Sequence, residues 1–145
     1  MKTSLHCFLF VVCVMTSIAA WSQNGTDTQK PISPDQGTKA TIEGLVRDIF
    51  CPIQNPEATA THLSMKCLRA CVNAGAPLAI LTKDGELYLP ISDKMPDTDQ
   101  RRRLLPFAGK YVRVTGTAFE RKGTHAITID KIEELKNVHL DIVDE

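Results

Sequence analysis

The hydrophobic and polar positions change rhythm three times along the chain. An apolar run from Leu5 to Ile18 opens it, followed by a polar stretch from Gln23 whose one large apolar residue is Ile32. From Lys39 the pattern turns to period two. Ala40, Ile42, Gly44, Val46 and Asp48 alternate with Thr41, Glu43, Leu45 and Arg47, which predicts a first strand with Gly44 permitting a bend or bulge. Pro52 ends that strand near Ile49–Cys51. Residues 53–61 read as a loop.

Ser64 to Ala74 predicts a short helix, with Ser64 as N-cap and Gly75 followed by Pro77 as the stop. Two apolar segments, Leu78–Leu81 and Leu87–Ile91, flank Lys83-Asp84-Gly85-Glu86. Asp-Gly at that place predicts a hairpin with a type I′ turn. A second helix is expected over Asp97–Phe107. A long strand follows over Tyr111–Phe119 with Gly116 inside it, and a last strand over His125–Ile132. Five strands with a helix between the third and fourth is the order of an OB-fold, a small Greek-key barrel. The expected fold is therefore mainly β: a five-stranded OB-like barrel over residues 39–136, with a cysteine-bearing helix inserted between strands 1 and 2. Residues 137–145 are expected to form a charged tail.

The N-terminus adds a compartment. Lys2, the apolar run and the small-x-small triplet Ala20-Trp21-Ser22 have the order of a cleavable signal peptide over residues 1–22. The run is shorter than the roughly 20 residues that span a bilayer, and no second one follows. The expectation is an exported chain, periplasmic or secreted, with residues 23–38 as a disordered linker and no membrane span after cleavage. Lys2 is the one Lys, Arg, Asp or Glu in the leader, so the remainder carries a net charge of −1. That balance argues against nucleic acid as a partner. The basic run Arg101-Arg102-Arg103 lies near Asp97 and Asp99 and reads as a solvated helix face.

Cys7 and Cys13 leave with the leader, so three cysteines remain: Cys51, Cys67 and Cys71. An odd number cannot pair completely within one chain. Cys67 and Cys71 are four apart, on one face of a helix, and Cys67 falls in its first turn, where the helix dipole favours a thiolate. With His62 on a loop that folds back, the three sulfurs and one imidazole make a metal-ligand set suited to a soft transition metal, Zn or Cu. Met65 could add a thioether and tilt the choice toward copper. Two other readings use the same residues. Cys51 could bond to Cys67 or Cys71 as a disulfide staple of an interaction module. Alternatively, Cys67 could act as a redox nucleophile, although the C-x-x-C spacing of thioredoxin-type proteins is absent. His125 and His139 read as surface histidines. No Ser-His-Asp order, phosphate loop or carboxylate pair stands out, so no catalytic residue is expected. The partner is a metal ion or an unidentified protein.

Several motifs follow in a fixed order between Ile42 and Ile132: Gly44-x-Val46-x-Asp48-x-x-Cys51, His62-x4-Cys67-x3-Cys71, Gly75-x-Pro77, Asp84-Gly85-x-x-Tyr88 and Gly109-Lys110-x-Val112-x-Val114-x-Gly116. The set resembles a group of small exported bacterial proteins of unknown function. The resemblance implies an OB-like barrel with a Cys/His insertion and brings no activity with it. Leu68 stands where that pattern has alanine.

Overall fold

The structure is a computed structural model that describes residues 37–143. The expected signal peptide, nearly all of the expected linker, and the last two residues of the expected tail lie outside the described residues. Strand β1 (Thr38–Asp48) is followed by a single helical turn, α1 (Phe50–Gln54), a short strand β2 (His62–Ser64) and helix α2 (Met65–Asn73). Then come β3 (Leu78–Thr82), β4 (Leu87–Ile91), α3 (Arg101–Leu104) with a 3-10 turn over Leu105–Phe107, β5 (Tyr111–Arg121), β6 (Thr124–Thr128), β7 (Lys131–Glu134) and β8 (Asp141–Val143).

Five strands close into a barrel. β1 pairs antiparallel with both β3 and β5, β3 with β4, and β5 with β6; β4 and β6 close the ring in parallel. The barrel is OB-like, with α3 between its third and fourth strands. β7 adds a further antiparallel strand along β5. Outside the barrel, β2 and β8 form a two-stranded parallel sheet.

Strand β1 serves two neighbours by changing partner midway. Thr38 to Leu45 face β5, and Gly44 to Asp48 face β3. The handover falls at Gly44, where a Cβ would run into the Leu81 carbonyl oxygen and come within 2.8 Å of Ile80 Cγ2. Gly116 has the same reason for lacking a side chain, because the Thr128 carbonyl of β6 occupies that space. Both in-strand glycines mark close backbone approach.

Two apolar cores result. Ile42, Val46, Leu78, Ile80, Leu104, Val112, Val114, Ile127 and Ile129 fill the barrel. The second core holds Leu45, Ala60, Leu63, Leu68, Leu81 and Tyr111, with Leu135, Val138 and Leu140 packed on it. It lies between the outer face of the barrel and the β2–α2 insertion. Alternation along β1 explains the split: Ile42 and Val46 point inward, while Leu45 between them points outward into the second core. Val72 of α2 touches both cores and so joins the insertion to the barrel.

Several local expectations change. β1 stops at Asp48, and residues 50–54 turn as a helix instead of extending the strand, because Asp48 Oδ1 accepts from the Phe50 and Cys51 N–H groups at 3.0 and 2.8 Å. Pro52 is tolerated there because the first turn of a helix needs no N–H from it. The 83–86 hairpin carries a positive φ at Gly85 alone; the two-residue turn with both central φ values positive is Lys122-Gly123, between β5 and β6. The second helix is shorter than expected and begins at Arg101. Arg102 and Arg103 are exposed as expected. Arg101 instead turns back and donates to the Val72 and Ala76 carbonyls, capping the C-terminal end of α2. The expected last strand is two, β6 and β7, separated at Ile129-Asp130. Beyond residue 136 the chain adds β8, which pairs with the insertion.

Candidate metal centre

Two short helices deliver the three cysteines to the same spot. The Asp48-capped turn α1 sets Cys51 just past the end of β1. Ser64 caps α2 from an extended backbone conformation, its Oγ accepting from the Cys67 N–H at 3.1 Å. That fixes Cys67 in the first turn of α2, and Cys71 follows one turn later on the same face. The Cys71 carbonyl accepts the Ala76 N–H at 3.0 Å, holding the chain reversal after the helix.

The sulfurs of Cys51, Cys67 and Cys71 all lie within 4.8 Å of one another. Cys51 and Cys71 are half-buried and Cys67 is exposed. The three are free thiols, so the alternative of a disulfide between Cys51 and a helix cysteine is not realised. The Cys51 and Cys67 sulfurs are 2.9 Å apart, well beyond the roughly 2.05 Å of an S–S bond. Zinc–sulfur bonds of about 2.3 Å would hold tetrahedral thiolates about 3.8 Å from each other, so the triangle has the size of a soft-metal site after the closest pair opens by about 0.9 Å.

The electrostatics of the three thiols are unequal. Burial, the hydrogen bond with Cys67 and the negative charge of Asp48 push the Cys51 thiol up to about 11. Burial and the same carboxylate also raise Cys71. Without a cation, then, Cys51 and Cys71 keep their protons at neutral pH.

His62 does not join the sulfurs. It is the first residue of β2, in register with Asp141 of β8, and its Nδ1 is 2.7 Å from Asp141 Oδ2. The expected set of three cysteines and a histidine is therefore a set of three cysteines. The loop before His62 does fold back, with Thr59 Oγ1 accepting the His62 N–H at 3.1 Å, but the fold-back delivers the imidazole to the β2–β8 ladder. Met65 is also turned away, its sulfur packed against Gly109 beside Leu68. His125 is less exposed than expected. Its ring packs on Tyr88 with centroids 5.2 Å apart, and its Nε2 is 4.0 Å from Glu86. His139 is exposed.

Sequence reasoning names Asp48 in the motif that ends at Cys51 but gives it no chemical role. It reads as an inward position of an alternating strand, and only the tertiary structure shows a fully buried carboxylate beside the cysteines.

Comparison with known proteins returned no match: no family model, no curated protein and no solved structure resembles this chain closely enough to place it. The three-sulfur geometry therefore carries the functional argument alone.

Proposed function

We propose that this protein is an exported, non-enzymatic OB-like domain that binds one soft transition-metal ion, Zn(II) or Cu(I), through Cys51, Cys67 and Cys71. The observation that carries the reading is the convergence of three thiols from two helices within 4.8 Å of one another. Soft thiolate donors select Zn(II) and Cu(I) among biological metals. A bound ion ties α1 to α2 across the end of β1, which makes it a fastener of the insertion. The exposure of Cys67 leaves one side of the site open, which suits exchange of the ion with a partner. The order of charged, apolar and small residues over positions 1–22 supports export, with cleavage before Gln23.

Metal analysis of the protein purified from the exported fraction, with alkylation of its thiols under denaturing conditions, tests this reading. One ion per chain, three alkylated cysteines, and loss of the ion in Cys51→Ser, Cys67→Ser and Cys71→Ser are expected. His62→Ala should keep it, since neither ring nitrogen of His62 falls in the group of ligand atoms within 4.8 Å of one another. A single alkylated cysteine and no metal would mean a disulfide between two of the three and would overturn the proposal.

A further inference from the structure

The buried end of β1 holds a carboxyl group without a cationic partner. Asp48 is fully buried. Its Oδ1 is taken up by the Phe50 and Cys51 N–H groups, while its Oδ2 has no hydrogen-bond partner among the described residues. No Lys, Arg or His among the described residues approaches its carboxylate within 4.0 Å. The neighbouring buried cation, Arg47, is on the opposite face of the strand and donates to the Thr59 and His62 carbonyls instead. Burying an ionised carboxylate with an unpaired oxygen costs several kcal/mol unless a cation or donor meets it.

The carboxylate sits beside Cys51, whose N–H its other oxygen, Oδ1, accepts at 2.8 Å. Its nearness raises the Cys51 and Cys71 thiols, yet neither thiol satisfies Oδ2. Three sulfurs and one carboxylate oxygen are four donors, the number that closes a tetrahedral zinc site; Cu(I) is content with three sulfurs.

We infer that Asp48 Oδ2 is the fourth ligand when the site holds Zn(II), strengthening Zn(II) binding while Cu(I) binding rests on the three sulfurs alone. The inference rests on the three-thiolate reading and adds a fourth donor to it. Asp48 is outside the set of groups mutually within 4.8 Å, so loading draws the carboxylate toward the sulfur triangle. The ion then gives the unpartnered oxygen the partner that the protein does not supply.

Asp48→Asn is the discriminating variant, because its side-chain oxygen can still accept the two N–H groups that start α1. Zn(II) affinity is read by chelator competition, Cu(I) affinity by competition with a bathocuproine-type chelator, and donor set by the visible spectrum of the Co(II)-loaded protein. The expected result is a fall in Zn(II) affinity of about 10- to 100-fold, Cu(I) affinity unchanged within about threefold, and shifted cobalt ligand-field bands with the thiolate charge-transfer bands retained. Unchanged Zn(II) affinity and superimposable cobalt spectra would overturn the inference while leaving the three-thiolate reading intact. Equal weakening of both metals would also overturn it, by showing that Asp48 acts only through the fold of α1. Failure of the unmutated chain to bind either metal would overturn both.

Discussion

The barrel interior and the second core are built from the same strand by opposite rules. Inside the barrel, apolar side chains from five strands meet in a closed ring, and the helix α3 contributes one more through Leu104. Outside it, Leu45, Leu81 and Tyr111 present the back of the barrel to a separate layer made of the 60–68 segment and the stretch from Leu135 to Leu140. The first core is held by five continuous strand ladders. The second depends on packing plus a two-stranded sheet three residues long. A closed ring of ladders can open only cooperatively, whereas a layer laid on its surface can open alone. The three-cysteine cluster belongs to that second layer through α2, and Cys51 ties it to the end of β1.

The contrast can be broken most directly from the barrel side. Ile80→Ala removes a fully buried side chain from the ring and should lower global stability by about 4 kcal/mol, read as the urea midpoint. Leu68→Ala makes a comparable hole in the second core. It should cost about 3 kcal/mol, and hydrogen exchange should place that loss mainly in α2 and β2, with β6 amides less affected. Equal loss of protection in β6 and α2 would show that the two cores are one cooperative unit.

Smaller changes sharpen the picture. Ser64→Ala deletes the cap on the Cys67 N–H and should cost about 1 kcal/mol, with faster alkylation of Cys67 in the folded protein. The smallest effect expected is a pH dependence of the metal-free domain. Folding raises the Cys51 thiol from 9.0 to about 11 and raises Cys71 too, so the folded state holds protons that the unfolded chain releases. Stability from this source is complete below pH 9 and is lost as the pH rises toward 11. Urea midpoints should fall across that window in the unmutated chain and fall less in Cys51→Ser.

The barrel was legible because alternation, in-strand glycines and turn residues are local signals. Ile42, Gly44 and Val46 announced β1, and Gly109 to Gly116 announced β5, each within a short window of sequence. The spacing of Cys67 and Cys71 was equally local, and it correctly put two sulfurs on one helical face. What failed depended on contacts distant in sequence. His62 looked available because nothing near it competes for the imidazole, but its partner, Asp141, lies seventy-nine positions away. Asp48 looked like one polar residue at the end of a strand because burial, the property that makes it chemically informative, appears only when the barrel closes around it. The turn at Asp84-Gly85 departs from expectation for a smaller reason: Asp-Gly fits several turn types, and the loop length chosen by the β3–β4 register decides among them.

The pairing of β2 with β8 also divides the chain unequally. Every strand of the closed ring lies before residue 129, whereas the strand that pairs with β2 begins at Asp141. A chain cut short of residue 141 would keep every strand of the ring and lose the one that clamps the start of the insertion.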